Sequence, residues 1–250
     1  MKTLKTLCIL LLVFTFGCSN DDDNNTPNVE TGFFPKKITK TSVTDPTVNR
    51  SFNYTYNSDN QISNISIVFP EGEVYRNYVL SYNNNRITSI DDGNLEYAFG
   101  YSAENRLNSL TLTTAAENVT IPVNFDDVTN TYSLTLEGTV QFTVNEEETI
   151  PLIYTTDSTE TTIGYTTIDG VFANVPMQIG LNMIFGGLQG LDYQYFHPFA
   201  LQSMFQTNSS GSTEWTIVNT RDANDNITTI NAISPFVAYN YAIEYEEREL

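Results

Sequence analysis

The sequence predicts an all-β fold: an antiparallel meander of β-hairpin repeats, sandwich-like or a curved open sheet, with one short helical segment around 177–206. Three observations carry that prediction. Apolar and polar residues alternate with period two through most of the chain, the signature of strands with one buried face. A hairpin-sized unit recurs: SFNYTYNSDNQISNISI at 51–67 returns as NYVLSYNNNRITSI and again as EYAFGYSAENRLNSLTL from Glu96. The units turn on short stretches rich in Asn and Asp, residues that tolerate the left-handed backbone of tight turns.

The register of the first unit follows from its pattern. With Asp59 and Asn60 at the centre of the turn, Tyr56 faces Ser63, Tyr54 faces Ile65 and Phe52 faces Ile67, all on the buried face. Asn53, Thr55, Asn64 and Ser66 then point outward. The same rule with Glu104 and Asn105 at the turn sets Tyr101 against Asn108, Phe99 against Leu110 and Tyr97 against Leu112. The middle unit is one residue shorter, and a three-residue loop at Asn84, Asn85 and Arg86 keeps Leu80 opposite Ile90. Near the C-terminus, WTIVNTRDANDNITTI at 215–230 repeats the turn and the isoleucines with Asn219 and Arg221 in place of tyrosines, and YNYAIEYEE supplies a last strand.

Between these units VTIPVNFDD, YSLTLEG, VQFTVNEEETIPLIYTT and TTIGYTTIDGVF are further strands. Residues 176–206 break the habit, placing Met177, Leu181, Ile184, Leu188 and Leu191 at helical spacing. Each glycine inside a helix costs about 1 kcal/mol relative to alanine, so a short helix broken near Gly186 and Gly187 is expected, covering the apolar face of the sheet.

Together the tyrosine-rich strand, the Asn/Asp turn and the aliphatic strand resemble the YD or RHS-like hairpin repeats of uncharacterised Bacteroidota surface lipoproteins. The motif is structural and brings no catalytic residue with it. The N-terminus is in keeping: Lys2 and Lys5 precede an apolar run from Leu7 to Phe16, then Gly17 and Cys18. That is a secretory signal, its run of roughly ten apolar residues too short to span a bilayer. The Gly-Cys pair resembles a bacterial lipobox, which implies acylation of Cys18, palmitate included. Ser19 followed by Asp21 to Asp23 resembles the export signal that carries such lipoproteins to the cell surface. The expected organisation is a signal peptide at 1–17, a lipidated acidic tether at 18–32 and a single β-rich domain at 33–250.

Composition narrows function. The chain carries 11 Lys and Arg against 30 Asp and Glu, a net charge of −19, which repels nucleic acid and anionic headgroups. Cys8 lies in the signal, so lipidated Cys18 leaves no disulfide, thiolate nucleophile or cysteine metal site. His197 is the single histidine; a serine triad would have to join it to a serine such as Ser203, and packing beside Pro198 is the expected role. Asp91–Asp92 and Asp126–Asp127 are adjacent acids, which on a strand point to opposite faces and converge only in a turn. Glu146 to Glu148 form a solvated turn. Asp222 to Asn226 alternate like a calcium loop, but Ile227 and Ile233 stand where the required glycine and glutamate belong. Asp157-Ser158-Thr159 resembles a Bacteroidota O-glycan acceptor.

The expectation is a membrane-anchored cell-surface lipoprotein of the outer membrane, a structural or interaction module rather than an enzyme, with no cofactor and no metal. Its partners are the membrane through Cys18 and a glycan or surface protein. A glycan-binding lipoprotein, with Trp215, Tyr193 and Tyr195 as ligand-binding residues, is the alternative, and a glycan-directed hydrolase the second.

Overall fold

The computed structural model describes residues 30–250 apart from 136–137, 149 and 189–196. The chain is an antiparallel meander of strand segments β1 (Thr31–Ser42), β2 (Arg50–Tyr56), β3 (Ile62–Val68), β4 (Val74–Asn83), β5 (Arg86–Asp91), β6 (Glu96–Tyr101), β7 (Leu107–Thr113), β8 (Asn118–Pro122), β9 (Asn124–Asp126), β10 (Thr131–Thr135), β11 (Thr139–Val144), β12 (Pro151–Thr156), β13 (Thr159–Asp169), β14 (Phe199–Asn208), β15 (Gly211–Arg221), β16 (Ile227–Ile233) and β17 (Ala238–Glu249). Each pairs with its sequence neighbours, and β17 pairs with β1, so the sheet closes on itself. β8 and β9 are one strand bent at Val123, whose N–H donates to Asn108 O at 2.9 Å; β9 then passes the ladder on to β10. Sixteen strands thus form the ring. Closure removes the exposed edges that an open sheet would present to other chains.

Period two assigns every strand an inner and an outer face. The inner face carries Phe52, Tyr54, Ile65, Ile67, Tyr78, Leu80, Ile90, Tyr97, Phe99 and Leu110, each at most 8% exposed. The outer face of the same strands carries Ser51, Asn53, Asn64, Ser66, Asn77, Ser81, Ser89 and Thr111. The expected pairs Tyr54–Ile65, Phe52–Ile67, Phe99–Leu110, Tyr97–Leu112 and Leu80–Ile90 are all present.

Nearer the turns the register departs from the simple hairpin. Tyr56 opposes Ile62 rather than Ser63, and Tyr101 opposes Leu107 rather than Asn108. A β-bulge after the turn adds one residue to the aliphatic strand, so its inward positions run i, i+3, i+5: Ile62, Ile65, Ile67. Ile87–Ile90, Leu107–Leu110 and Ile227–Ile230 repeat that spacing. The turns are correspondingly one residue earlier: Asn60 N–H donates to Asn57 O at 3.3 Å, centring the turn on Ser58 and Asp59. Asn60 itself takes the left-handed conformation at φ 59°, as do Asn105 at 73° and Asp225 at 66°. The middle unit turns on two residues, Asn84 and Asn85, both with positive φ, and its bulge falls on the strand rather than in a three-residue loop.

The bulges explain the tyrosines. A bulge leaves its carbonyl off the ladder, and the neighbouring strand supplies a phenol to it. Tyr56 donates to Pro35 O (2.7 Å), Tyr82 to Ile62 O (2.9 Å), Tyr101 to Ile87 O (2.8 Å) and Tyr245 to Ile227 O (2.9 Å). Burial raises the hydroxyl pKa of Tyr82 and Tyr245, and that of Tyr101 to about 12.

From Gly170 the chain leaves the ring at the end where these turns lie, and its described part as far as Phe185 packs into the interior. Phe172 meets Tyr54 edge-on at 5.3 Å, and Gln178 Nε2 donates to Asn85 O at 2.9 Å. One helical turn, Ile179–Leu181, runs into a π-type stretch, Asn182–Leu188. Leu181, Met183, Ile184 and Phe185 are fully buried, Phe185 against Tyr78 with ring centres 5.1 Å apart. A Cβ on Gly180 would lie 2.9 Å from Phe99, so only glycine fits that approach. Residues 189–196 of the expected span, Leu191 among them, lie outside the described residues, and its last part is strand rather than helix: Phe199–Asn208 is β14. A bulge between Leu201 and Ser203 sets Leu201 and Met204 three apart on the inner face, a helical spacing made by a strand.

Candidate functional site

Below the plug the interior is not completely filled. A cavity of about 250 Å³ is lined by Phe142, Pro151, Tyr154, Thr161, Ile163, Asn182, Gly186, Met204, Gln206, Trp215 and Tyr239. Strand parity places the wall: Phe142 pairs with Tyr154, Tyr154 with Thr161, Ile163 with Met204 and Met204 with Trp215, so successive strands turn one side chain each toward the same space. Asn182 and Gly186 close it from the plug. The Trp215 indole stacks on Tyr239, centres 5.7 Å apart and planes 19° from parallel, and the Lys40 ammonium lies 4.0 Å over the same tyrosine ring. Trp215, Tyr154, Gln206 and Tyr239 are only partly buried, so solvent reaches this space.

The walls are mainly apolar, but two buried donors in them lack partners among the described residues: Trp215 Nε1 and Asn182 Nδ2. Asn182 is 2% exposed. A buried donor without an acceptor costs about 1–3 kcal/mol, so each marks a costly spot in the packing behind the cavity wall.

A second recess, about 470 Å³, lies where the Asn-rich turns gather, lined among others by Arg86, Tyr101, Glu104, Arg106, Tyr132, Glu147, Glu148 and Gln178. Here Arg106 donates to Glu148 Oε1 at 2.8 Å and to Asp127, and Tyr132 OH donates to Glu148 Oε2 at 2.6 Å. Glu148 is therefore a held network member, not the solvated turn residue expected.

The other candidates separate. Cys18, Tyr193 and Tyr195 lie outside the described residues. Trp215 faces the interior rather than an exposed sugar platform. His197 is fully buried, its ring 4.4 Å from that of Tyr165, and desolvation lowers its pKa to about 3. Ser203 is exposed on the outer wall, so a triad is not assembled from these two. Asp92 caps its own turn: burial alone would raise its pKa, but the N–H groups of Asn94 and Leu95 and the Arg76 guanidinium lower it. Asp91 accepts from Gly93 N at 2.7 Å and Asp126 from Val128 N at 2.8 Å, while Asp127 pairs with Arg106. Asp222 Oδ1 accepts from Asn224 N at 2.9 Å and Asn226 N at 3.0 Å, committing the calcium-like stretch to its turn. Among the described residues no three His, Cys, Asp or Glu side chains gather as a metal site. Asn182 had no sequence signal at all; only the fold of the plug brings it to the cavity that Trp215 also lines.

No protein-family model matches the chain, and no curated protein matches it. Among solved structures it is similar to a porin-like protein from Bacteroides uniformis, with a TM-score of 0.52 and 13% identity over 84% of this chain and 96% of that one. At that identity the likeness is one of fold.

Proposed function

We propose that the protein is a non-catalytic lipoprotein of the outer-membrane surface, a filled barrel held to the lipid by Cys18 and standing clear of it as an interaction module. The observation that carries this reading is the sense of the wall. A barrel that crosses a bilayer turns an apolar band some 25 Å tall outward, edged with aromatic girdles, and keeps its polar side chains inside. Here Ser, Thr and Asn dominate the outer face while the aromatics and isoleucines fill the interior. The apolar residues exposed on that outer face, such as Val79, Phe205 and Val218, stand beside polar partners, Asn64, Glu214 and Asn231, so attachment to a membrane falls to the chain ahead of β1. The Lys-flanked apolar run and Gly17-Cys18 supply an anchor of the right chemistry, and the acidic stretch after it supplies the spacing. One acyl chain binds a membrane only marginally, and the multiple acylation of a lipoprotein cysteine makes the attachment stable.

The test is Cys18→Ser in the full chain, followed by membrane fractionation and palmitate labelling. The native protein partitions with membranes and labels; the variant is expected in the soluble fraction, unlabelled. A Cys18→Ser protein that still labels and still pellets with membranes overturns the reading.

A further inference from the structure

The register of the cavity wall sets two polar side chains next to each other. On β13 and β14, Thr161 is directly opposed to Gln206, and both line the cavity. Opposed side chains start about 5 Å apart, close enough for one ligand group to touch both. Neither is hydrogen-bonded to another described residue, and neither is among the buried polar atoms shut off from water, so the Thr161 hydroxyl and the Gln206 amide stay open to whatever fills the space. A hydroxyl and a primary amide each both donate and accept. Gln206 sits two residues before the end of β14, at the end of the ring opposite the plug's entry, and is partly exposed, so the polar pair stands on the solvent side of the cavity.

Most of the remaining wall is apolar, with Phe142, Ile163, Met204, Trp215 and Tyr239, and none of the described lining residues is charged. The Lys40 ammonium lies over the Tyr239 ring, outside that lining. A charged head buried here would lose its water without gaining a counter-ion, whereas a neutral head exchanges its water for the two side chains. A volume of about 250 Å³ far exceeds the ~30 Å³ a single water occupies in the liquid, leaving room for a compact organic molecule. We propose that this cavity binds a small neutral molecule with an apolar body and one alcohol or amide head, the head against Thr161 and Gln206 and the body along Phe142, Ile163 and Met204.

Trp215 is the chain's single tryptophan and lines the cavity, so its emission reports on occupancy. The full chain is titrated with cyclohexylmethanol, cyclohexanecarboxylate and cyclohexylmethylammonium, one ring with a neutral, an anionic and a cationic head. A saturable change is expected with the alcohol, and each ion is expected to bind more weakly by about tenfold or more. A Cβ on Gly186 meets no described atom within 4 Å, so Gly186→Leu adds bulk in open space at the cavity wall and is expected to weaken the alcohol by about tenfold or more. Thr161→Val with Gln206→Leu keeps the shape of the wall and removes its hydrogen bonds; alcohol binding is expected to weaken by about fivefold or more, the worth of at least one hydrogen bond. Should the double variant lose its fold by far-UV circular dichroism, Gln206→Leu alone, at a partly exposed site, carries the same test. No saturable response to the alcohol, an ion that binds less than tenfold more weakly, or alcohol binding unchanged in Gly186→Leu or in the folded Gln206 variant overturns the proposal.

Discussion

Removing single phenol oxygens from the repeated hairpins should destabilise the barrel out of proportion to the atoms lost. The perturbation is Tyr82→Phe, Tyr101→Phe and Tyr245→Phe, singly and together. Each tyrosine donates at 2.8–2.9 Å to the carbonyl of Ile62, Ile87 or Ile227, the first inward residue after a turn and the one just before the bulge, and those isoleucines are at most 1% exposed. Phenylalanine keeps the ring and its packing, so no cavity opens. What is lost is one hydrogen bond, net about 1 kcal/mol, and what remains is a buried carbonyl without its partner, which brings the cost to about 1–2 kcal/mol per site. Tyr245 sits on a separate hairpin and adds to the others, whereas Tyr82 pairs with Ile87, whose carbonyl takes the Tyr101 hydroxyl, so these two are coupled and the triple variant should lose about 2–6 kcal/mol. That is a large part of the 5–15 kcal/mol typical of a folded domain. Urea denaturation followed by far-UV circular dichroism measures it, with midpoints falling and the slope unchanged, because no surface is newly exposed. Tyr75→Phe, at a tyrosine 47% exposed, is the control and should stay within about 0.5 kcal/mol. If the three single variants move no further than Tyr75→Phe, the phenols do not hold the bulges.

The two faces of a strand should respond oppositely to truncation. Tyr54→Ala, which empties a site 4% exposed beside Phe172, and Phe99→Ala, at 8%, should each cost about 3–5 kcal/mol, whereas Asn53→Ala on the outer wall should stay within about 0.5 kcal/mol; a stable Tyr54→Ala beside a collapsed Asn53→Ala would put the faces the other way round. His197, held neutral by burial with a pKa of about 3, should tie stability to acidity. The unfolded chain takes up this proton below about pH 6.5 and the folded chain does not until about pH 3, so stability is full above pH 6.5 and falls as pH drops between those values, by about 2–3 kcal/mol at pH 4.5. His197→Phe removes that component, and its denaturation free energy should fall less steeply than the native protein's over the same range; parallel curves would show the histidine to be protonated in place.

Period-two alternation fixed the strands and their faces before any coordinates, because a strand's two faces are set by residue parity alone. Tyr54 and Ile65, or Phe99 and Leu110, could be opposed on paper for that reason. The turns were nearly as accessible, since Asn60, Asn105 and Asp225 occupy left-handed backbone that few other residues accept. Spacing failed where a bulge inserted one residue. Ile62–Ile65 and Leu201–Met204 then sit three apart, a spacing that strict alternation does not produce, and β14 lies in the tail of a span whose helical spacing came from Met177 to Leu191.

What the sequence alone determined is therefore local: strand faces, the neighbourhood of each turn and the sign of the net charge. Closure of the ring belonged to the tertiary structure, because the pairing of β17 with β1 joins opposite ends of the described chain, as Thr31 with Glu249, and no local pattern marks such a partner. The same is true of the cavity. Asn182 and Trp215 lie on unrelated elements, and they line one cavity only because the plug packs against the wall that β11 to β15 and β17 curve around it. Burial and hydrogen-bond satisfaction are properties of that assembled interior, summed over distant segments, and they come into being only when the sheet closes.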